Sequence, residues 1–180
     1  MRQLLLLRHA KSSWDDRDLS DHARPLNPRG QQAADAMRET MKRLGLAPDL
    51  VLVSSAKRTQ QTMEALEPWA ETPLVDTLDS LYLASAPTLL ATLQEVAETV
   101  RSVMVVGHNP GLHELAMMLI GAHAMTLGNQ DMRRLAEGYP SGALAEFTVP
   151  GPWHTLGEGG GRLVRFVCPR DLPTTGQPMR

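Results

Sequence analysis

Three short, unbroken apolar runs restrict the fold of this chain more than any other feature of its sequence. They occupy residues 4–7, 51–53 and 103–106. Runs of this length without polar alternation are typical of strands covered on both faces, as in a parallel sheet. The first run consists of leucines and would also fit a helix, but its short length and abrupt polar ending favour a strand.

Helical patterns lie between these runs. The first predicted helix begins at Pro28, with Asn27 as its cap, and ends near Gly45. Three further helices are expected, and they begin at Ser55, at Ser85 (extending to Val100) and at Asn109-Pro110. Residues 143–149 and 162–167 have the pattern of two more strands. Alternation of strand and helix predicts an α/β fold, a three-layer α/β/α sandwich with a mostly parallel central sheet.

The length of 180 residues suits one domain. We expect this domain to occupy residues 1–168. Residues 169–180 hold three prolines and little apolar material, so we expect a flexible C-terminal tail there.

The composition excludes several classes of function. Lys and Arg number 18 against 20 Asp and Glu, so a broad nucleic-acid surface, which needs a basic excess, is not expected. Cys168 is the only cysteine, which rules out an intramolecular disulfide and a thiolate metal site. No apolar run approaches the roughly 18 residues of a membrane span. A soluble, cytoplasmic protein without a membrane partner is expected.

Each of the three apolar runs is followed by polar side chains that can bind a ligand or take part in catalysis. The first is followed by Arg8 and His9, the second by Ser54 and, one helical turn later, Arg58, and the third by His108. In open α/β sheets, ligands bind outside the carboxyl ends of the strands. The sequence therefore predicts two arginines and two histidines around one crevice.

Two guanidinium groups beside two imidazoles favour a phosphate site. Arginine presents a planar fork of donors to phosphate oxygens, and histidine offers a donor or a nucleophilic lone pair. A helix beginning at Asn109-Pro110 would also direct its free amide groups towards the anion. A metal site would need carboxylates or convergent imidazoles, and His113 lies five residues from His108, on another side of the helix. Neither a metal nor another cofactor is expected.

Three segments then match a known pattern in order. They read LRHAKS at residues 7–12, SSAKRTQQT at 54–62 and VGHNPG at 106–111. Together they resemble the histidine phosphatase superfamily, which includes the phosphoglycerate mutases. The short chain, the RPL segment at 24–26 with Gly30, and the closing stretch 162–172 are similar to the SixA-type phosphohistidine phosphatases within it.

The resemblance implies a role for each matching residue. His9 would attack phosphorus in line and become phosphohistidine, without a metal. Arg8, Arg58 and His108 would bind the phosphoryl oxygens and stabilise the charge that develops there. Asn109, Ser13 and Lys11 are further candidates for contact with the substrate, although Ser13 and Lys11 would equally suit a solvated surface.

A general acid is harder to assign. Larger relatives protonate the leaving oxygen with Glu or Asp, and Asp79 lies in roughly the right region without the usual neighbours. An aspartate of the first loop would be the alternative donor; the candidates are Asp15, Asp16, Asp18 and Asp21. Because imidazole leaves more easily than an alkoxide, a missing acid favours an N–P substrate.

The expected function is therefore hydrolysis of phosphohistidine in a protein, by a monomer. Two alternatives stay open: a phosphomonoesterase acting on a small phosphorylated metabolite, and a non-catalytic module that binds phosphorylated partners. The intact His9 argues against the second, since a binding module would need only the arginines and His108.

Overall fold

A computed structural model describes residues 1–173. Its centre is a six-stranded sheet in the order β3-β2-β4-β1-β5-β6. The strands are β1 (Arg2–Arg8), β2 (Leu50–Ser54), β3 (Leu74–Leu78), β4 (Ser102–Gly107), β5 (Leu144–Val149) and β6 (Arg162–Val167). β1 to β4 run parallel, whereas β5 and β6 are added antiparallel at one edge. The predicted, mostly parallel sheet is confirmed.

Helices cover both faces of the sheet. They are α1 (Pro28–Leu44), α2 (Lys57–Glu64), α3 (Ala86–Gln94), α4 (Gly111–Ile120), α5 (Ala122–Thr126) and α6 (Gln130–Glu137). Leu5 and Leu7 face α1 and α2, while Leu4 and Leu6 face α3, α4 and α6. The unbroken leucine run is thus buried on both sides, which confirms the three-layer sandwich. No helix in residues 1–173 has the length and apolar character needed to cross a membrane.

Several local predictions were wrong. Strand β3 was missed because it is an exposed edge strand with no apolar run. Helix α3 ends at Gln94 instead of Val100, although Val96 and Val100 still pack on the core from the following turns. Helix α2 begins at Lys57 with Ala56 as its cap, two residues after the predicted start at Ser55, whose hydroxyl pairs with His22. Helices α5 and α6 were not among the predicted helices.

The start of the stretch predicted as a flexible tail is instead held against the domain. Residues Pro169–Asp171 form one 3-10 turn. The Asp171 carboxylate accepts a hydrogen bond from the backbone N–H of Cys168 at 3.1 Å and pairs with Arg134. Leu172 packs against the core on the α1 and α2 face. The rest of the predicted tail, residues 174–180, lies outside the described residues.

Candidate active site

The register of three parallel strands brings the predicted residues together. Arg8 of β1 lies opposite Gly107 of β4, so His9 and His108, the first residues after these two strands, lie beside each other. Their ring centroids are 5.4 Å apart. On the other side of β4, Val53 lies opposite Val106, and the same step places Ser54 at the level of Gly107.

A cavity of about 470 Å³ opens at these strand ends. It is lined by Arg8, His9, Lys11, Ser12, Trp14, Arg24, Asn27, Arg58, Leu83, His108, Asn109 and Ser141. Both predicted histidines and both predicted arginines therefore share one hollow, together with Lys11 and Asn109. Within the described residues, the wall of this cavity contains no aspartate or glutamate.

His9 is held as a neutral imidazole with one free nitrogen. Its Nδ1 lies 2.7 Å from the carbonyl oxygen of Ala10. A carbonyl only accepts, so Nδ1 carries the ring proton and Nε2 keeps a lone pair. Burial lowers the pKa of His9 to about 4, and Arg58 and Arg8 contribute in the same direction. At neutral pH the ring has the ionisation and tautomer of a nucleophile.

His108 is also buried and neutral. Burial lowers the pKa of its ring to about 3, with Arg58 as the next cause. Its Nε2 lies 2.7 Å from the hydroxyl of Ser54, and its Nδ1 lies 3.4 Å from Nη2 of Arg58. A hydroxyl both donates and accepts, so Ser54 supports either tautomer of His108. Nδ1 can therefore accept from Arg58 in one tautomer and donate to an anion in the other.

Arg8 is positioned by a loop that the sequence did not single out. Its Nη1 donates to the carbonyl oxygen of Tyr139 at 2.8 Å, and Nδ2 of Asn109 donates to the same oxygen at 3.0 Å. The Tyr139 hydroxyl in turn donates to the carbonyl of Leu6 in β1. Burial lowers the pKa of Arg8, and its Nε has no hydrogen-bond partner. An anion in the cavity would satisfy that donor.

Arg58 lines the cavity and also forms hydrogen bonds to the first loop. Its Nη2 donates to the carboxylate of Asp21 at 3.0 Å, and its Nη1 donates to the Asp21 carbonyl at 2.7 Å. The buried Nε of Arg58 has no partner. The loop thus fixes the outer edge of the guanidinium, while donor capacity remains for an anion.

A third guanidinium, Arg24, was not predicted as a site residue. It is buried, and its Nη1 donates to the hydroxyl of Ser12 at 2.7 Å and to the carbonyl of Ser13 at 3.2 Å. Its place in the RPL segment at 24–26 was the only available signal. The fold of the first loop, with an isolated bridge between Ser12 and Leu26, brings it to the cavity wall.

A family model and two relatives match this chain. Residues 4–80 match the model of the histidine phosphatase superfamily, branch 1. An uncharacterised protein of Mycobacterium tuberculosis is 32% identical over 169 residues, which cover 91% of this chain and 100% of that protein. A chloroplastic protein of Arabidopsis thaliana is 36% identical over 131 residues, which cover 67% of this chain and 60% of that protein. The chain belongs to the histidine phosphatase superfamily.

Two solved structures indicate to which group within the superfamily this histidine phosphatase belongs. SixA from Nakamurella multipartitia, described as a phosphohistidine phosphatase, has a TM-score of 0.81 and 28% identity over 93% of this chain and 96% of that one. SixA from Agrobacterium tumefaciens, with the same description, has a TM-score of 0.77 and 29% identity over 93% and 97%. The chain is a SixA-type member, and the family makes it a phosphatase.

The candidate acids of this histidine phosphatase lie outside the cavity wall. Asp79 is exposed on a 3-10 turn and does not line the cavity. The hydrogen bond from Tyr82 lowers the pKa of Asp21 to about 2, and those from Arg58 and Arg24 act in the same direction. Asp21 is therefore a carboxylate at neutral pH. It anchors Arg58 and has no proton to donate.

Two other predictions need correction. Ser13 does not line the cavity: its hydroxyl accepts from the N–H of Asp15 at 3.2 Å, and Ser12 takes its place in the wall. Helix α4 starts at Gly111, and the N–H of Leu112 donates to the His108 carbonyl at 3.0 Å. Helix α4 therefore begins one residue after the predicted Asn109-Pro110 start. Within residues 1–173, no three His, Cys, Asp or Glu side chains cluster as metal ligands would.

Proposed function

We propose that this histidine phosphatase removes the phosphoryl group from phosphohistidine in a protein, through a covalent intermediate on His9. We infer the substrate from one observation, the composition of the cavity wall. The cavity presents two neutral imidazoles and three guanidinium groups, but no carboxylic acid from the described residues. Such a site can accept a phosphoryl group and stabilise its charge, yet offers little to protonate a poor leaving group.

In the first step, the lone pair on Nε2 of His9 attacks phosphorus in line with the bond to the leaving nitrogen. A new N–P bond forms as the substrate N–P bond breaks. Charge on the three phosphoryl oxygens is met by Arg8, Arg58 and His108, whose donors are already in place. The hydrogen bond from Nδ1 of His9 to the Ala10 carbonyl fixes the ring during the attack.

The leaving group explains why an acid is dispensable. A phosphohistidine ring that is protonated on its other nitrogen departs as neutral imidazole, because the electrons of the N–P bond cancel the positive charge. An alkyl phosphate would instead release an alkoxide, which needs a proton from the enzyme. Asp21 is ionised and occupied by Arg58 and Tyr82, so it is a poor source of that proton.

In the second step, water attacks the phosphoryl group on His9. An O–P bond forms, the P–Nε2 bond breaks, and Nε2 recovers its lone pair. The proton released by the water passes to a phosphate oxygen or to solvent. Inorganic phosphate then leaves, and His9 returns to its starting tautomer.

The substrate is tested by offering two classes of phosphate to the same enzyme. A histidine-phosphorylated phosphotransfer domain is compared with glucose 6-phosphate and p-nitrophenyl phosphate, and kcat/KM is measured for each. We expect kcat/KM for the phosphohistidine protein to exceed that for glucose 6-phosphate by at least a hundredfold. The His9→Ala variant serves as the control for contaminating phosphatases. Preference for the sugar phosphate by a similar factor would replace the proposal with a metabolite phosphomonoesterase.

A further inference from the structure

Trp14 is the most exposed tryptophan of this chain. The sequence has three tryptophans; Trp153 is fully buried, Trp69 packs against the core, and Trp14 is 74% exposed. Trp14 nevertheless lines the cavity that holds His9. A large apolar ring left in water at the edge of a charged cavity is a candidate contact for a ligand.

The ring of Trp14 is held in place rather than free. The guanidinium carbon of Arg24 lies 3.5 Å from the centre of the ring, which is a cation–π contact. Arg24 is itself fixed by Ser12 and by a salt bridge of 3.1 Å to Asp21. Arg24 covers one face of the Trp14 indole. Because Trp14 is largely exposed, its other face is available to contact a ligand.

Leu83 is a second apolar residue at the same cavity, from a different loop. It is 54% exposed and has a φ of 48°, a left-handed conformation that is costly for leucine. The neighbouring Ala84 is packed tightly on α4: a Cβ at Gly111 would lie 1.9 Å from the Ala84 carbonyl oxygen. The loop therefore holds Leu83 in a strained, exposed position at the cavity edge.

We propose that Trp14 and Leu83, together called the rim, bind the ring of the leaving group, with Trp14 as the specificity-determining residue. This inference rests on the proposed function and extends it from the phosphoryl group to the group that carries it. The arginines and histidines hold the phosphoryl group, while the open face of Trp14 stacks on the planar imidazole that departs. Stacking between two aromatic rings favours a flat leaving group over an acyclic one.

The experiment compares two small N–P substrates that differ in the ring. N-phosphorylimidazole carries it and phosphoramidate does not, and kcat/KM is measured for both with wild type, Trp14→Ala and Trp14→Phe. We expect Trp14→Ala to lower the ratio of the two kcat/KM values, ring over no ring, by about tenfold. Trp14→Phe should retain most of the ratio, because phenylalanine keeps an aromatic face.

Two controls and one further variant accompany this comparison. Leu19→Ala removes another exposed apolar side chain that does not line the cavity, and it should leave the ratio unchanged. Inhibition by inorganic phosphate should be the same in wild type and Trp14→Ala. Leu83→Ala should lower the ratio less than Trp14→Ala, because leucine has no ring to stack.

The inference is overturned if Trp14→Ala leaves both kcat/KM values unchanged or lowers them equally. It is also overturned if only the phosphohistidine protein is affected, since Trp14 would then contact the protein surface and not the ring. Failure of the proposed function has a different signature. In that case wild type itself turns over neither N–P substrate, although it hydrolyses a phosphate ester, and the inference falls with it.

Discussion

The phosphoryl site and the rim face the same cavity but are built in different ways. The phosphoryl site consists of Arg8, His9, Arg58 and His108. Arg8, His9 and His108 lie at or directly after the ends of buried strands, where sheet register fixes their spacing, and Arg58 lies in the first turn of α2, which follows β2. The rim lies on two loops and is exposed to solvent. The comparison indicates that the chemical step depends on the sheet, whereas the choice of leaving group depends on the loops. Substitutions in the two regions should therefore differ in size and in kind.

The largest effect is expected for His9→Ala in the phosphoryl site. Removing the nucleophile should lower kcat by about 10⁴-fold or more, because water cannot replace the covalent step. Binding of inorganic phosphate, measured by calorimetry, should persist because the guanidinium groups remain. His154→Ala, an exposed histidine outside the cavity wall, is the matched control. Turnover at the wild-type rate in His9→Ala would contradict the assignment of the chemical step to the phosphoryl site.

Arg58→Ala should come next, with a loss of kcat/KM of about 10²–10³-fold on any phosphorylated substrate. The guanidinium stabilises charge on the phosphoryl group, so the loss should not depend on the leaving group. This independence is what separates Arg58 from Trp14. Arg133→Ala, which removes an exposed arginine of α6, should change nothing. A loss confined to ring-bearing substrates would contradict the assignment of Arg58 to the phosphoryl site.

The ionisation of His9 gives a pH test of the same site. Burial lowers its pKa from 6.5 to about 4, so the ring stays neutral until the pH falls towards 4, and below that it loses the lone pair. The unfolded chain binds this proton nearer pH 6.5. The stability linked to neutral His9 is therefore full above pH 6.5 and decreases as the pH falls towards 4. NMR titration of the His9 ring, assigned with His9→Ala, should give a midpoint near pH 4. A midpoint between 6 and 7 would show a solvated ring.

Ser54→Ala, which acts on the phosphoryl site through His108, should have a smaller effect than the substitutions of His9 and Arg58. It removes the hydroxyl at Nε2 of His108, so we expect kcat to fall about tenfold with little change in KM. Ser54→Thr should restore much of this loss, which a purely structural role would not predict. Ser55→Ala, with a hydroxyl that pairs with His22, is the control. A rise in KM with kcat unchanged would mean that Ser54 acts on binding and not on His108.

The sequence predicted the phosphoryl site better than the rim for a physical reason. A buried strand can be recognised in the sequence by its unbroken apolar run, and a parallel sheet brings the carboxyl ends of its strands to one edge. Arg8, His9 and His108 follow from that rule alone. Arg58 needed the family resemblance in addition, because a helix arginine is otherwise unremarkable on a surface.

The rim and its supports depend on loop geometry that no periodic pattern encodes. Ser13 and Ser12 are adjacent and chemically identical, and only the backbone path decides that Ser12 faces the cavity. Tyr139 holds Arg8 through its carbonyl, a group that every residue possesses. Strand β3 was missed for a related reason, since its exposed edge position removes the apolar run on which the prediction depends.

The central claim is that the phosphoryl group passes through His9, and trapping it there is the most direct test. The enzyme is mixed with a ³²P-phosphohistidine protein, quenched with alkali within milliseconds, and separated from its substrate by gel electrophoresis. The account predicts an alkali-stable, acid-labile label on the enzyme, located on His9 by mass spectrometry and absent from His9→Ala. Normal turnover with an unlabelled enzyme, or with the label on another residue, would contradict it.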